Sequence, residues 1–269
     1  VKEYVAIKEI DTKPNTPEHN QIVKSIQNET NIMRRLDHPN IVKLFDAFQR
    51  ENDARYVYIV MELCTGGELF DALQSRYVHN DYNRFSEDSI RQITKQVLNA
   101  VQYCHSKRIA HLDIKPENIV LATPVKEGQP FPNIKLIDFG LAMNFEDFNH
   151  CPCGFRGTLA YAAPEILQSI PERKARYNQK ADIWSIGIVL YVLFIGGWPF
   201  ENPENIESDL NDGLYFEGIP ELAKQFILRL LTFEPNGRPS ATAALKDIWF
   251  VEDSGVGTIP TPTIMLTQR

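Results

Sequence analysis

Residues 183–200 form a run of eighteen positions without a charged side chain. Eighteen such residues meet the crude length test for a membrane span. Gly196-Gly197-Trp198-Pro199 breaks any helix there, however, and leaves only thirteen residues, 183–195. A helix of that length extends about 20 Å at 1.5 Å per residue, too short for a hydrocarbon core of about 30 Å. A helix apolar on all sides is then the buried centre of a large domain, and no membrane is expected as a partner. At 269 residues, 43% hydrophobic and 23% charged, the chain can surround that helix with one large domain or two unequal lobes.

The first part of the chain alternates strand-like and helix-like patterns. Tyr4-Val5-Ala6-Ile7-Lys8-Glu9-Ile10 is short and β-branched, so Ala6, Lys8 and Ile10 share one strand face. A helix is predicted over residues 18–36, with Ile22, Ile26, Met33 and Leu36 as its apolar stripe and Glu29 inside that stripe. His38-Pro39-Asn40 ends it. Strands are predicted over residues 41–48 and 56–63, joined as a hairpin.

After Gly66-Gly67 the pattern turns mostly helical. Residues 86–107 read as the clearest helix, with Ser86 as N-cap and Phe85 and Ile90 as a hydrophobic staple. Short strands at 119–121 and 134–137 flank a loop, the buried helix starts at Asp182, and further helices are expected near 221–232 and 241–250. The expected fold is α+β and bilobal. Residues 1–64 form a small sheet-plus-helix lobe and hinge, residues 65–250 a larger helical lobe, and residues 251–269 a tail.

A formal net charge of −7 argues against a nucleic-acid partner and favours basic ligands or basic stretches of a partner protein. Cys64, Cys104, Cys151 and Cys153 are too few and too unevenly spaced for a secreted disulfide framework, and the first residues read as a strand without signal-peptide organisation. A reducing, cytoplasmic setting is expected. His150-Cys151-Pro152-Cys153 lacks a second pair at metal-ligand spacing, and Gly255-Val256-Gly257 meets Pro260 where a dinucleotide fingerprint needs its third glycine. Neither carries a site.

The informative stretch is His111-Leu112-Asp113-Ile114-Lys115-Pro116-Glu117-Asn118, followed by Asp138-Phe139-Gly140 and Ala163-Pro164-Glu165. Ahead of it stand Val5-Ala6-Ile7-Lys8 and the stripe carboxylate Glu29. A lone strand lysine is ordinarily solvated, but an unpaired carboxylate on an apolar stripe is costly, and a facing lysine removes that cost. These pieces, in this order, resemble the signature set of the eukaryotic protein kinases from Val1 to about Phe250. Asp-Ile-Lys-Pro-Glu-Asn with Gly157-Thr158 resembles the Ser/Thr-specific branch. Gly66-Gly67-Glu68-Leu69-Phe70-Asp71 and His38-Pro39-Asn40-Ile41-Val42 resemble its calcium/calmodulin-dependent group.

The resemblance implies ATP and Mg²⁺ as cofactors and a protein Ser or Thr hydroxyl as acceptor. Asp113 would take or orient the hydroxyl proton, and Lys115 would stabilise the transferring phosphoryl charge. Ala6 would roof the adenine and Lys8, paired with Glu29, would reach its phosphates. Met61 would be the gatekeeper, with the backbone of Glu62 and Cys64 at the adenine edge and Glu68 near the ribose. Asn118 and Asp138 offer the oxygen ligands that hard Mg²⁺ prefers. His111 and Asp182 would hold the catalytic loop, Thr158 would contact it, and Glu165 with Arg238 would form a buried ion pair. Glu68 and Glu117 would flank the peptide groove, so basic residues upstream of the target hydroxyl are expected.

Two departures from the family pattern carry expectations. Gly66 is the earliest glycine, so the family's Gly-rich loop and its two strands, due before Lys8, are missing from the sequence. A sheet lacking them would expose an apolar face and an unpaired edge, and the expectation is a sequence that starts partway through its first lobe. The alternative is a pseudokinase scaffold without a phosphate cover, which Lys8, Asp113, Asn118 and Asp138 together oppose. A small-molecule kinase is opposed by Gly157-Thr158 and Ala163-Pro164-Glu165, which resemble a peptide-docking segment. The second departure is Leu112, where regulated kinases carry an arginine that binds a phosphate. Residues 141–156 contain no Ser, Thr or Tyr to modify. The segment is expected to be ordered by Phe145, Phe148 and Phe155 beside Leu112, with control from a flanking autoinhibitory segment outside this chain.

Overall fold

The computed structural model describes residues 4–50, 53–78, 85–126, 131–145, 158–172 and 178–251. Strand β1 (Val5–Asp11) alternates as its sequence requires, with Ala6, Lys8 and Ile10 half-buried and Val5, Ile7 and Glu9 exposed. It pairs antiparallel with β3 (Asp53–Glu62), which also pairs with β2 (Leu44–Arg50), giving the order β1-β3-β2. Helix α1 (His19–Met33) buries Ile26, Glu29, Thr30, Ile32 and Met33.

The helix stops three residues short of the expected 36, and residues 34–36 continue only as turns before His38-Pro39. The first hairpin strand begins at Leu44 rather than residue 41 for a specific reason. Ile41 bridges in parallel to Leu136, and Val42 N–H donates to Leu136 O at 3.0 Å, so these two residues are tied to the larger lobe.

The larger lobe contains α2 (Leu69–Val78), α3 (Glu87–Ser106), β4 (Ile109–Ala110), β5 (Ile119–Leu121), β6 (Ile134–Leu136), β7 (Met143–Asn144), α4 (Pro164–Glu172), α5 (Lys180–Ile195), α6 (Ile206–Asp212), α7 (Glu221–Leu230) and α8 (Ala241–Ala244). Ser86 caps α3, its hydroxyl accepting from Ser89 N–H at 3.2 Å, and Phe85 and Ile90 both lie in the core. Every residue of α5 from Ala181 to Phe194 is buried, and Gly196 ends the helix at φ 81°, a left-handed turn that glycine adopts without strain. α5 and α7 approach closely at Gly187, where a Cβ would sit 2.7 Å from the Leu231 side chain. No described helix is long and apolar enough to cross a membrane.

The helix expected over 241–250 is broken. Only Ala241–Ala244 is α-helical, and a 3-10 turn at Ile248–Phe250 follows. Asp247 causes the break: its carboxylate accepts from Trp249 N–H at 3.0 Å and takes two bonds from Arg229 at 3.0 and 2.9 Å. The expected tail, apart from Val251, lies outside the described residues.

Candidate active site

The loop from His111 to Asn118 runs between β4 and β5, and Asp138 follows β6. Antiparallel pairing of Ile119 with Leu136 sets the register that brings these segments together. One step further along the same ladder, Ile137 N–H donates to Asn118 O at 3.0 Å, so Asp138 follows the residue that faces Asn118. His111 Nε2 lies 2.9 Å from Ile137 O, and its ring meets Phe139 edge-on at 4.7 Å.

Asp182, fully buried at the start of α5, holds the loop from beneath. It accepts from His111 N–H at 3.0 Å and Leu112 N–H at 2.8 Å, and His105 Nε2 lies 2.8 Å from its Oδ2. Burial alone would push this carboxyl up, but the bond to His105, the imidazoles of His105 and His111 and the Leu112 amide outweigh it and hold it below its ordinary value. Leu112 itself sits at φ 65° and packs its side chain against the core.

Within the loop, Asn118 donates Nδ2 to both the backbone O and Oδ2 of Asp113, each at 2.8 Å. Lys115 Nζ stands 3.1 Å from Asp113 Oδ2 and donates to Thr158 Oγ1 at 2.9 Å. A carboxylate, an ammonium and an amide thus converge on one point. Among the described residues, Glu117 Oε2 is the buried side-chain oxygen left without a hydrogen-bond partner.

The second half of the site comes from the small lobe. Lys8 Nζ donates to Glu29 Oε1 at 2.8 Å and lies 3.6 Å from Asp138 Oδ1. Burial alone would lower the Lys8 ammonium, but Glu29 and then Asp138 reverse that and raise it above its ordinary value. Asp138 sits at φ 59° with its side chain 46% exposed, and accepts from Gly140 N–H at 3.2 Å. A Cβ on Gly140 would lie 3.1 Å from Asp138 Oδ1 and 3.7 Å from Glu29 Oε2, so the turn leaves little room for a side chain between the two carboxylates.

At the lobe junction, Ala6 pairs directly with Met61, placing both on the Lys8 face of the sheet. Glu62 is anchored on both sides, its amide donating to Lys43 O at 2.9 Å and its carboxylate taking a 2.8 Å ion pair from Lys135. Cys64 is half-buried, and burial, then the Glu62 carboxylate, pushes its thiol up. Glu68 bridges to Val120, and Gly66 fits because a Cβ there would meet Thr123 O at 2.4 Å. Farther off, Arg238 binds Glu165 through two nitrogens at 2.7 and 2.8 Å and lies over Trp184 at 5.0 Å.

Among the described residues no three His, Cys, Asp or Glu side chains converge as a metal cage. The donor set instead suits a hard divalent cation held by two protein oxygens, because Asn118 commits its amide nitrogen to Asp113 and leaves Oδ1 as its acceptor. His105, Lys135 and Asn28, whose amide donates to Ala142 O at 3.0 Å, make contacts that the sequence pattern does not point to. His105 and Lys135 resemble ordinary surface residues of a helix and a strand. Asn28 carried a faint signal as a poor helix former inside a helix. Phe148, Phe155 and Gly157 lie outside the described residues.

A model of the protein kinase domain matches residues 1–250. The chain is 36% identical over 262 residues to a calcium/calmodulin-dependent protein kinase type II alpha chain from Drosophila melanogaster, covering 94% of this chain and 46% of that protein. It is 37% identical over 234 residues to calcium/calmodulin-dependent protein kinase type II from Caenorhabditis elegans, covering 84% of this chain and 30% of that protein. It is 38% identical over 234 residues to mouse (Mus musculus) death-associated protein kinase 2, covering 84% and 58%. The chain therefore spans between 30% and 58% of the length of these relatives.

Proposed function

The chain belongs to the protein kinase family, and from that premise we propose that it transfers the γ-phosphoryl group of ATP to a Ser or Thr hydroxyl of a protein substrate. The observation that carries this reading is the convergence of Asn118 and Lys115 on Asp113 Oδ2, at 2.8 and 3.1 Å. Asp113 is thereby positioned to accept or orient the hydroxyl proton, while Lys115 stays within reach of the charge that passes between oxygens. Lys8, fixed by Glu29, presents its ammonium to the nucleotide's phosphates. Asn118 Oδ1 and the Asp138 carboxylate would hold Mg²⁺, which would supply charge neutralisation at the phosphates. Ala6, Met61 and the backbone at Glu62 and Cys64 take the adenine, with Glu68 toward the ribose. All four groups that chemistry needs are present and mutually oriented, which favours a catalyst over a pseudokinase scaffold.

Basic residues upstream of the acceptor hydroxyl fit the charge of the site. Glu117 Oε2 is buried without a partner, a cost that an incoming cation removes. Residues 196–223 also carry seven acidic side chains and no basic one, equal to the formal net charge of −7 of the whole chain. Leu112 fills the position of a phosphate-binding arginine with an apolar side chain, so the catalytic loop has no need of a phosphorylated activation segment, and control comes from a flanking autoinhibitory segment. A positional peptide library tests the substrate reading. The expected result is selection of Arg or Lys upstream of Ser or Thr, reduced in Glu117→Gln. An acidic preference, or none, contradicts it.

A further inference from the structure

We propose that Asn28 is a positioning residue: it clamps the turn after Asp138 onto α1, so that the metal-binding carboxylate and the Lys8–Glu29 pair are held in one frame. The inference rests on the kinase reading above. Asn28 Nδ2 donates to Ala142 O at 3.0 Å across 114 positions of sequence. Ala142 is buried, and its own N–H closes the turn by donating to Phe139 O at 3.1 Å. The same turn carries the Gly140 amide that binds Asp138 Oδ1 at 3.2 Å.

The bond crosses from one lobe to the other. Glu29, the next residue on α1, holds Lys8, and the 3.7 Å approach of its Oε2 to a Cβ position on Gly140 shows that helix and turn are in contact there. Consecutive residues of one helix thus grip the two cation-handling groups, Glu29 through Lys8 and Asn28 through the backbone that carries Asp138. Asn28 is exposed and asparagine is a poorer helix former than alanine, so neither burial nor helix propensity accounts for it at this position. Its amide donor does. Were the clamp absent, the turn could swing from α1 and take Asp138 with it, leaving the lysine pair intact but the metal ligand displaced.

The test compares Asn28→Ala and Asn28→Gln in the full-length protein by calorimetric ATP titration with and without Mg²⁺ and by amide exchange of residues 139–145. Asn28→Ala should weaken Mg-ATP binding by about two- to tenfold, the worth of one net hydrogen bond. It should leave metal-free ATP binding unchanged and speed exchange in the turn. The urea midpoint should stay close to that of the wild type, because alanine's better helix propensity offsets much of the lost hydrogen bond. Asn28→Gln, which keeps the amide, should recover part of the loss. Unchanged exchange in Asn28→Ala, or an equal loss of ATP affinity with and without metal, overturns the inference. If the wild-type protein binds no Mg-ATP, the kinase reading fails separately, and the exchange measurement alone then decides the clamp.

Discussion

Asn118 and Asp113 are joined twice, through the backbone carbonyl and through Oδ2 of the aspartate, both at 2.8 Å from the same amide nitrogen. Both acceptors are oxygens, so the amide can face Asp113 only through its nitrogen, and the arrangement ties the proposed proton acceptor to the proposed metal ligand five residues away. Asn118→Ala should therefore lose more than metal affinity. We expect kcat/KM for peptide to fall by about a hundredfold, the scale of misplacing a reacting group by an ångström. Raising Mg²⁺ should restore nucleotide binding without restoring kcat. Full recovery at high Mg²⁺ would make Asn118 a metal ligand alone.

Arg238 is 1% exposed and its two nitrogens meet both oxygens of Glu165. Its remaining donors go to the carbonyls of Thr232, Phe233 and Lys180, and Lys180 Nζ donates back to Arg238 O. A lysine cannot reproduce this fork. Arg238→Met, which strands the Glu165 carboxylate, should cost about 3–5 kcal/mol in urea unfolding, and Arg238→Lys should also destabilise. The double variant Arg238→Met/Glu165→Met should recover much of the loss. A single variant within about 1 kcal/mol of wild type would show that the pair is not needed for stability.

Acid should loosen the catalytic loop through Asp182. Its folded carboxyl lies below the ordinary 3.8, so its contribution to stability is present above that value and is lost as pH falls through the lower folded value. The urea midpoint of the wild type should drop below about pH 4, and Asp182→Asn should flatten that part of the curve. Parallel curves for the two proteins would remove Asp182 from the acid transition.

The second departure in the sequence gives a regulatory prediction. Leu112 packs against the core and donates its N–H to Asp182, an apolar anchor where a phosphate-binding arginine would stand. Thr158 is engaged by Lys115 at 2.9 Å. Phosphatase treatment of the full-length protein should leave its specific activity unchanged. Activity that collapses and returns with a phosphate on Thr158 would contradict this.

The site was far more legible in the sequence than the boundaries of the elements around it. Lys8 and Glu29 could be paired because a carboxylate on an apolar stripe demands a partner, and the structure brings them to 2.8 Å. Asp113, Asn118 and Asp138 are readable as a group because their motifs follow the order of the kinase signature set, and the pairing of β5 with β6 draws their segments together. Ile41 and Val42 read as part of the first hairpin because they are apolar and β-branched, and nothing in that pattern shows that they pair with Leu136. The break at Asp247 depends on Arg229, eighteen residues earlier, and the Asn28 clamp reaches across 114. Contacts of that kind come from packing and leave no period in the sequence.

Radiolabel transfer from γ-labelled ATP to a basic Ser/Thr peptide, with Mg²⁺, tests the catalytic reading most directly when the full-length wild type is compared with Asp113→Asn and Asp138→Asn. The wild type should place label on Ser or Thr. Asp113→Asn should bind Mg-ATP and transfer almost nothing, and Asp138→Asn should lose metal-dependent nucleotide binding as well. Wild-type transfer no greater than that of Asp113→Asn, or unchanged turnover in either variant, would contradict the assignment of a phosphoryl-transfer site built on Asp113 and Asp138.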